Sequence, residues 1–449
     1  MLISTRTRAG RRVPRPDAAV IAGCVALVVA AAVVGRALLA GGVNILLGFP
    51  PLNAEWLPHV GVGTPMALVV AATVAAYGPA LADRLAWRRL LAAGYAASLA
   101  WTASLALVDG WRRGIADRLT SRDEYLHDVP RAGPLDTFLR TFADHILTSQ
   151  VDPRQTEFWT THVGAHPPGA FGLFVLLDRA GLGGGPAAGV LVIVVGASAA
   201  VAVAVAVRAL CGEALARRVL PFAVLLPGAV WVGVSADGLF AAVLAWGVAL
   251  FAVGATRPGP GGDLAALAGG VLCGACLYLS YGLVLGLPLP LAVLVLTRRL
   301  RAAALAGAGL LLVVVAFTAG GFWWFTGFER VRVIYEASAA ATRPYAYFVW
   351  ANLAALLFAV GPAVAVGVRR AIAAPRALPP AALALAGAAL AAVLLADLSG
   401  LSKAEVERIW LPFAVWLVVP CALLGRRARW LAAQAGLALC VNHLLLTVW

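Results

Sequence analysis

The stretch that decides the fold is 169-GAFGLFVLLDRAGL-182, an apolar run that Asp178 and Arg179 interrupt. A helix needs about 20 apolar residues to cross a bilayer, so this run is short for a span. We predict that it stays on one side of the membrane as a re-entrant or interfacial helix. If it crossed, every later segment would change sides, and the topology of the whole chain therefore depends on it.

The rest of the chain has the composition of a polytopic membrane protein. Of its 449 residues, 62% are hydrophobic and 12% are charged, whereas soluble domains are about half apolar and about a quarter charged. The formal net charge is +14, and the arginines that carry it lie mostly at the ends of apolar runs, as they do in cytoplasmic loops. Because the chain has no soluble basic domain, nucleic-acid binding is not expected.

Arginine clusters alternate with the apolar runs and give the predicted topology. Placing these clusters in the cytoplasm predicts an all-α protein with 11 to 13 transmembrane helices, the amino terminus inside and a single integral-membrane domain, 1–449. The clusters lie at 6–15, 84–89, 208–218, 298–301, 369–376 and 426–429. The predicted spans are 18–40, 63–82, 90–108, 186–207, 219–234, 238–255, 264–280, 282–297, 302–320, 348–367, 378–396, 408–425 and 430–447.

Three external segments follow from this topology. A long first loop, 109–185, is predicted to contain juxtamembrane helices, and two shorter segments, 321–347 and 397–408, are predicted to complete an active site. Loops as long as 109–185 are usually functional or disordered. Four of the six histidines lie in it, namely His127, His145, His162 and His166. A functional site is therefore expected at the external end of the protein.

Asp109 is the first candidate for a catalytic base. It follows the third predicted span directly in 105-LALVDGWRRG-114. A carboxylate at a membrane boundary often marks a site, because its desolvation is costly. Asp109 could equally be a helix-end residue that pairs with Arg112 or Arg113.

The segment 120-TSRDEYLHDV-129 supplies a second pair of candidates, Asp123 and Glu124, beside Tyr125. A carboxylate close to an acceptor hydroxyl can act as a general base, and the tyrosine can contact a substrate. Paired acidic residues are also common on surfaces that have no catalytic role.

Two histidines precede the deciding stretch in 162-HVGAHPPG-169. His162 and His166 have the i, i+4 spacing of metal ligands on a helix, but the two prolines argue against a helix at that point. Pro-Pro holds the chain extended, which would aim His166 into the external space of the acidic loop. We interpret His166 as a catalytic candidate and His162 as a substrate contact.

Charged residues recur in later external segments. Asp237 lies in 234-VSADGLF-240, where an Asp-Gly pair can simply form a turn. The segment 402-SKAEVERIW-410 contains the only lysine of the chain. It could be a surface helix with an i, i+4 ion pair, but external basic residues at a membrane surface also suit a lipid-linked phosphate. The predicted phosphate binders are Lys403, Arg408, Arg343 and Arg330, and the predicted substrate contacts nearby are Asp237, Glu405 and Glu407.

The ordered set of motifs resembles the integral-membrane glycosyltransferases of the GT-C superfamily. An Asp follows an early span, a loop of surface helices carries an acidic-x-Tyr motif, and HPPG stands where the superfamily has His/Lys-Pro-Pro-Leu. The segments 235-SADGLF-240, 343-RPYAYF-348 and 403-KAEVERIWLPF-413 are similar to actinobacterial sequences described as mannosyl- or methylthioxylose-transferases of cell-envelope glycans. The resemblance covers most of residues 90–425.

The resemblance implies a polyprenyl-phosphate sugar donor, a glycan or glycolipid acceptor, and inverting transfer on the outer face of a bacterial plasma membrane. It implies an acidic base in the first large external loop, matched here by Asp109 and, second, by Glu124. Arginines and a lysine can stabilise the leaving phosphate. No cofactor is therefore expected, and a divalent metal is required only if these cations do not suffice. Two extra spans precede the loop here, where the usual superfamily pattern has one.

Other classes stay open. A transporter or flippase of lipid-linked sugars would carry charged residues at mid-span along a path, and such charges are sparse here. A non-catalytic envelope-assembly protein would leave the external gathering of histidines, acids and Pro-Pro unexplained. The six cysteines fall mostly in or at the ends of apolar runs, which predicts no disulfide framework and no zinc site.

Overall fold

The structure, a computed structural model, describes residues 14–448, without the side chains of residues 135 and 136. Of the first predicted arginine cluster, residues 6–13 lie outside this described range. The first part of the chain contains α1 (Arg15–Ala40), β1 (Ala54–Trp56), α2 (Thr64–Arg84), α3 (Trp87–Ala106), α4 (Tyr125–Asp128), α5 (Leu135–Thr141), α6 (Thr161–Gly164) and α7 (Pro168–Leu177).

The remaining elements are again almost all helical. The middle of the chain contains α8 (Gly185–Ala197), α9 (Ala199–Cys211), α10 (Glu213–Val224), α11 (Ala229–Val232), α12 (Ala236–Thr256), α13 (Pro260–Leu279), α14 (Pro288–Thr297) and α15 (Leu300–Ala319). The last part contains α16 (Trp324–Ala337), α17 (Tyr345–Ala373), α18 (Pro380–Leu398), α19 (Val406–Ile409), α20 (Leu411–Ala414), α21 (Arg427–Leu444) and β2 (Leu445–Thr447).

Within residues 14–448, nine helical segments are long and apolar enough to cross a membrane, by length and composition. The chain is therefore an all-α, polytopic membrane protein. The segments are α1, α2, α3 with a short extension to Asp109, the continuous pair α8–α9, α12, α13, α15, α17 and α18.

The sequence predicted 11 to 13 spans, and the difference lies in four apolar runs. Proline accounts for much of it, because its ring and its missing N–H interrupt helices. Run 219–234 is divided between α10 and α11, with Pro227 between them. Run 408–425 contains only a shorter apolar helical segment, Leu411–Leu423. Run 282–297 forms a shorter apolar helical segment, and run 430–447 forms α21 and then β2.

Polar contacts gather four of the arginine clusters and the start of α1 at one end of the helix bundle; the four clusters are 84–89, 208–218, 369–376 and 426–429. Arg217 donates to the carbonyls of Ala82 and Leu85, and Arg427 pairs with Asp83. Further links at this end join Arg218 to the carbonyl of Ala422, Arg370 to the carbonyl of Leu423, and Asp17 to Arg369 and Arg370. The alternation of arginine clusters along the sequence thus corresponds to one basic end in space.

The opposite end is closed by a two-stranded sheet. Strand β1 pairs antiparallel with β2, and Ala54 lies opposite Thr447. Arg118, from the loop that follows α3, donates to the carbonyls of Thr447 and Val448. The connection after α1, the long loop 109–185 and the end of the described chain therefore meet at this end.

The deciding stretch forms α7, which has ten residues and is not among the nine candidate spans. Its Phe171 and Phe174 are buried in the core. Gly169 allows α7 to approach α13, since a Cβ atom at this position would lie 2.5 Å from the carbonyl oxygen of Tyr278. This close packing is a physical reason for glycine at position 169.

Candidate functional site

The centre of the candidate site is the buried guanidinium of Arg408. Its Nη1 donates to Asp237 Oδ2 at 2.5 Å, and its Nη2 donates to Glu405 Oε2 at 2.9 Å and to His162 Nε2 at 3.2 Å. Asp237 is on α12, His162 is on α6, and Glu405 directly precedes α19. We call the following set the Arg408 cluster: Glu124, Tyr125, His162, His166, Asp237, Glu405 and Arg408.

Charges within the Arg408 cluster hold one another ionised. Burial alone would lower the pKa of Arg408, but the Asp237 and Glu405 charges outweigh it and raise that pKa. Burial alone would raise the pKa of Glu405, but the Arg408 and Arg343 charges lower it below its usual range. The cluster therefore keeps a cation and carboxylates together in a place that excludes most of the solvent, where an unpaired charge would be costly.

Glu124 differs from the other carboxylates of the cluster, because it can carry either protonation state at neutral pH. Glu124 is only 5% exposed, and its Oε1 lies 3.7 Å from Nδ1 of His162. Burial raises the pKa of Glu124 to about 7, and the Arg408 charge opposes this rise. A carboxyl group with such a pKa can take up and release a proton near pH 7.

Asp123, the preceding residue, connects the cluster to the surface. Its side chain is exposed and accepts a hydrogen bond from Thr161 Oγ1 at 3.0 Å. Its carbonyl accepts from the backbone N–H of His162 at 3.0 Å and lies 2.7 Å from Nδ1 of the same histidine. The side chain of Asp123 is therefore solvent-accessible, whereas that of the adjacent Glu124 is buried.

His162 is neutral and has a defined tautomer. Its Nδ1 faces a carbonyl oxygen and must carry the proton, so Nε2 accepts from Arg408. Burial and the Arg408 charge lower the pKa of His162 to about 4. The histidine therefore helps to orient the guanidinium and adds no positive charge at neutral pH.

The structure places His166 inside the cluster as well. Pro167 is extended (φ −64°, ψ 161°), and α7 begins at Pro168. The His166 ring is stacked on that of His162, with centroids 6.3 Å apart, and lies 5.8 Å from the Tyr125 ring. Burial lowers the pKa of His166. Within the described residues, no group of three or more His, Cys, Asp or Glu side chains could hold a metal ion.

The segment before Arg408 is a strained turn. The sequence left open a surface helix over 402–408, but the helix begins only at Val406. Ala404 (φ 74°) and Glu405 (φ 61°) both have left-handed backbone conformations, which are rare for residues other than glycine. This turn directs Glu405 towards Arg408. The i, i+4 pair of Lys403 and Glu407 considered from the sequence is replaced by the i, i+3 pair of Glu405 and Arg408.

Asn352 holds this turn, and sequence reasoning missed it. From α17 its Nδ2 donates to Asp397 Oδ1 at 2.9 Å and to the carbonyl of Ser402 at 2.8 Å, while Oδ1 accepts from the N–H of Ala404 at 3.1 Å. The residue is 2% exposed. In the sequence it is a single amide side chain inside an otherwise apolar span. Polar residues in such spans often have a functional role.

Two predicted phosphate binders, Arg343 and Lys403, form a reciprocal pair at the edge of the cluster. Arg343 Nη1 donates to the carbonyl of Lys403 at 2.5 Å, and Lys403 Nζ donates to the carbonyls of Arg343 and Ala341 at 2.9 and 2.7 Å. Arg343 Nη2 lies 3.5 Å from Glu405 Oε1, which is long for a hydrogen bond. An anion could therefore replace this weak contact at little cost.

Arg330 and Asp109, two further predicted site residues, lie in other ion pairs. Arg330 Nη1 is 2.9 Å from Asp144 Oδ1 in an exposed pair that joins α16 to the long loop. Asp109 contacts Arg113 at 2.7 Å, Arg118 at 3.4 Å and His59 at 3.1 Å. The helix-end pairing of Asp109 with Arg113, left open by the sequence, is therefore formed.

Glu407 is buried beside the cluster and does not contact a cation directly through its second oxygen. The residue is 1% exposed, and Oε2 has no hydrogen-bond partner among the described residues. Burial raises the pKa of Glu407 to about 8. Glu407 is therefore mainly protonated and uncharged at neutral pH. It does not orient the neighbouring basic side chains by its charge.

A cavity of about 710 Å³ lies between the long loop and α16. Asp123 and Thr161 lie in its wall, one residue away from Glu124 and His162 in each case. Such a volume is in the range of cavities that bind small organic ligands. Asp123 thus offers a solvent-accessible carboxylate in the cavity wall, and the next residue, Glu124, is a buried carboxyl group of pKa about 7.

A scan against protein-family models and a search of the curated proteins find no match to this chain. Fold alone does not define a function, so the function must be argued from the site.

Proposed function

We propose that this protein is a membrane glycosyltransferase that moves a sugar from a polyprenyl-phosphate donor to a glycan or glycolipid acceptor with inversion. The observation that carries the proposal is the meeting of Asp237, His162 and Glu405 at Arg408, next to Glu124 and a large cavity. Ionisable residues at the end of a membrane bundle are costly and usually functional. A guanidinium with several carboxylates suits a substrate that combines a phosphate with sugar hydroxyls.

Glu124 is the proposed general base. The oxygen of an acceptor hydroxyl bonds to the anomeric carbon while the bond from that carbon to the donor phosphate oxygen breaks. The hydroxyl proton passes to Glu124, and polyprenyl phosphate leaves as an anion. A base works best when its pKa is near the working pH, and the pKa of Glu124 is about 7. Asp123 would then orient the acceptor from the cavity side.

Asp109 ranks behind Glu124 as the base. Its carboxylate is held by two arginines and lies close to His59. These partners occupy the oxygens that an acceptor hydroxyl would have to reach. The resemblance to the superfamily places a base in the first large external loop, and both residues satisfy that condition.

Arg343 and Lys403 are the proposed first contacts of the donor phosphate. Their present partners are mostly backbone carbonyls, and the contact of Arg343 with Glu405 is long. Arg408 would act behind them, since it must keep at least one of its two carboxylate partners to balance the buried charge. Asp237 and Glu405 would accept hydrogen bonds from sugar hydroxyls, and no metal is needed for a leaving group that stays ionised.

The proposed location is a bacterial plasma membrane, with the Arg408 cluster on the outer face. The support is the basic end of the bundle, which the positive-inside rule assigns to the cytoplasm. The cluster and the two-stranded sheet lie away from that end. Polyprenyl-phosphate sugars and envelope glycans would meet there.

The test is transfer of radiolabelled sugar from a panel of polyprenyl-phosphate hexoses and pentoses in envelope membranes that contain the chain. Glu124→Gln should lower transfer by about 100-fold or more, because a positioned base contributes 10²–10⁴-fold, while Asp109→Asn should keep most of it. Transfer that survives in Glu124→Gln and is lost in a folded Asp109→Asn variant would move the base to Asp109. If no donor supports transfer above membranes without the chain, the proposed function is wrong.

A further inference from the structure

We infer that the cavity between the long loop and α16 is the acceptor site, and that it takes a saccharide held at the membrane surface by an apolar anchor. The inference rests on the proposed function, which it extends from a reaction to an acceptor class. It is carried by the chemistry of the two cavity walls and by their position relative to the membrane spans.

The wall that the long loop forms is mainly polar. It contains Asp123, Thr161 and the exposed side chains of Arg122 and His127. Thr160 Oγ1 also belongs to this wall; it is buried and has no hydrogen-bond partner among the described residues. Such a wall offers donors and acceptors to the hydroxyl groups of a saccharide, including a polar atom whose hydrogen bond the protein itself does not supply.

The wall that α16 forms is mainly apolar. Val331, Ile334 and Tyr335 line it, and their i, i+3 and i+4 spacing places them on one face of the helix. Ser338, which directly follows the helix, lies beside them in the wall. A free, fully hydroxylated glycan would gain little from the two aliphatic side chains. An acceptor with a hydrocarbon anchor would bury apolar surface against them, which favours its binding.

The position of α16 explains how an anchored acceptor would arrive. The helix connects two candidate spans, α15 and α17, and therefore lies at the membrane boundary. Trp323 and Phe325, at its start, are 54% and 61% exposed, as expected for aromatic residues at a membrane interface. One side of the cavity is thus built from an interfacial helix.

Two contacts fix α16 against the rest of the site. Arg330 pairs with Asp144 of the long loop, and Tyr335 Oη donates to the carbonyl of Gly400 at 3.0 Å. Gly400 precedes the turn that holds Glu405. The apolar wall is therefore connected both to the polar wall and to the Arg408 cluster, so an acceptor in the cavity would have its hydroxyls near Asp123.

The test uses photoreactive glycosides and the full chain in lipid nanodiscs. One pair of probes is octyl glucoside and octyl mannoside with a diazirine on the alkyl chain, and the matched soluble pair is methyl glucoside and methyl mannoside with a diazirine. We expect an octyl probe to label peptides from 142–165 or 327–338, and an excess of the unlabelled octyl glycoside to prevent it. The methyl probes should label these peptides much more weakly at the same concentration.

Ile334→Trp and Val333→Trp form a matched pair of variants on α16. Ile334 lines the cavity, whereas Val333 is 39% exposed and is not in the cavity wall. Ile334→Trp should abolish labelling, and Val333→Trp should leave it unchanged. Labelling that survives Ile334→Trp, that occurs only elsewhere or that never occurs overturns the site, and equal labelling by methyl probes overturns the anchored class of acceptor.

The labelling experiment separates this inference from the proposed function, because it needs no catalysis. Glu124→Gln should be labelled like the native chain even though its sugar transfer is lower by about 100-fold or more. If labelling follows the expected pattern while Glu124→Gln remains fully active, the acceptor site stands and the proposed base is wrong. If transfer behaves as expected and labelling is absent from the cavity, the proposed function stands and the acceptor site is wrong.

Discussion

Arg408 and Asp237 are 171 residues apart in the sequence, yet Nη1 of Arg408 donates to Oδ2 of Asp237 at 2.5 Å, and each side chain is only 8% exposed. A pair so deeply buried does not by itself stabilise a fold by much, because both groups lose their hydration. Its energetic importance appears when one partner is removed and the other charge stays buried.

Removing either partner should therefore destabilise the protein strongly. We expect Asp237→Ala or Arg408→Ala to lower the free energy of unfolding by about 3–5 kcal/mol, and the double variant to lose clearly less than the sum of the two. The measurement is a double-mutant cycle of denaturant unfolding in detergent.

The matched control for this cycle is the exposed pair of Arg332 and Glu336, whose side chains are 60% and 67% exposed. Its coupling energy should be at most about 1 kcal/mol. Equal coupling energies for the two pairs would show that burial does not govern the energetics of the Arg408 cluster.

The pH dependence of transfer should report the ionisation of Glu124. A base of pKa about 7 is active only when it has lost its proton, so kcat/KM should fall about tenfold per pH unit below that pKa and level off above it. The profile is measured between pH 5.5 and 8.5 for the native chain and for Asp123→Asn, a neighbouring carboxylate that faces the cavity.

The Asp123→Asn variant should move the midpoint only slightly, and to lower pH, because the Asp123 charge makes a minor contribution to the raised pKa of Glu124. Glu124→Asp should move the midpoint more, because the shorter side chain changes the burial of the carboxyl group. A midpoint that shifts more in Asp123→Asn than in Glu124→Asp would transfer the role of base to Asp123.

Loss of the proton from Glu407 should make the protein less stable as the pH rises. The pKa of Glu407 is about 8 in the folded protein, above the 4.5 of an ordinary glutamate, so the folded state holds the proton more tightly than the unfolded state. The resulting stability is fully present below pH 4.5 and is lost as the pH rises through about 8. Glu124 contributes with the same sign up to about pH 7.

The window from pH 7 to 8.5 isolates Glu407. His162 has the opposite sign, but its contribution changes only between about pH 4 and its ordinary value of 6.5. Thermal unfolding in detergent should show a Tm that falls across the window, and Glu407→Gln should flatten this fall. Glu336→Gln, at an exposed position, should leave the slope unchanged, and an equal slope in both variants would contradict the assignment.

Much of the architecture could be predicted because it depends on local composition. The arginine clusters and the apolar runs alternate, and this pattern is enough to give an all-α membrane bundle with one basic end. The number of long helices could not be obtained in this way. Prolines and polar residues divide several apolar runs, and hydropathy averaged over a window does not resolve where a helix breaks.

The site was predictable only as a set of residue types. Asp123, Glu124 and the histidines stand out because ionisable residues are rare in this chain, and the structure brings Glu124, His162 and His166 together. Asp109 has the same signal, yet it lies with Arg113 and Arg118. Which carboxylate joins which cluster depends on how the long loop packs, and no pattern along the sequence contains that information.

Asn352 belongs to the site although no pattern along the sequence pointed to it. The last prediction concerns this residue. Its amide fixes the turn that carries Glu405, so Asn352→Ala should release Ser402 and Ala404 and misplace a carboxylate partner of Arg408. We expect an unfolding cost of about 1–3 kcal/mol from the unsatisfied groups. We also expect a higher KM for the polyprenyl-phosphate donor, since Arg343 and Lys403 border the same turn.

Gln434 provides a closely matched control for Asn352. It is a buried amide that holds a kink in α17, donating to the carbonyl of Val360 at 2.8 Å and accepting from the N–H of Ala363 at 3.1 Å. Gln434→Ala should cost a similar free energy of unfolding but leave the donor KM unchanged, because it is not connected to the turn. If both variants raise the donor KM equally, Asn352 acts through general stability and does not position the site.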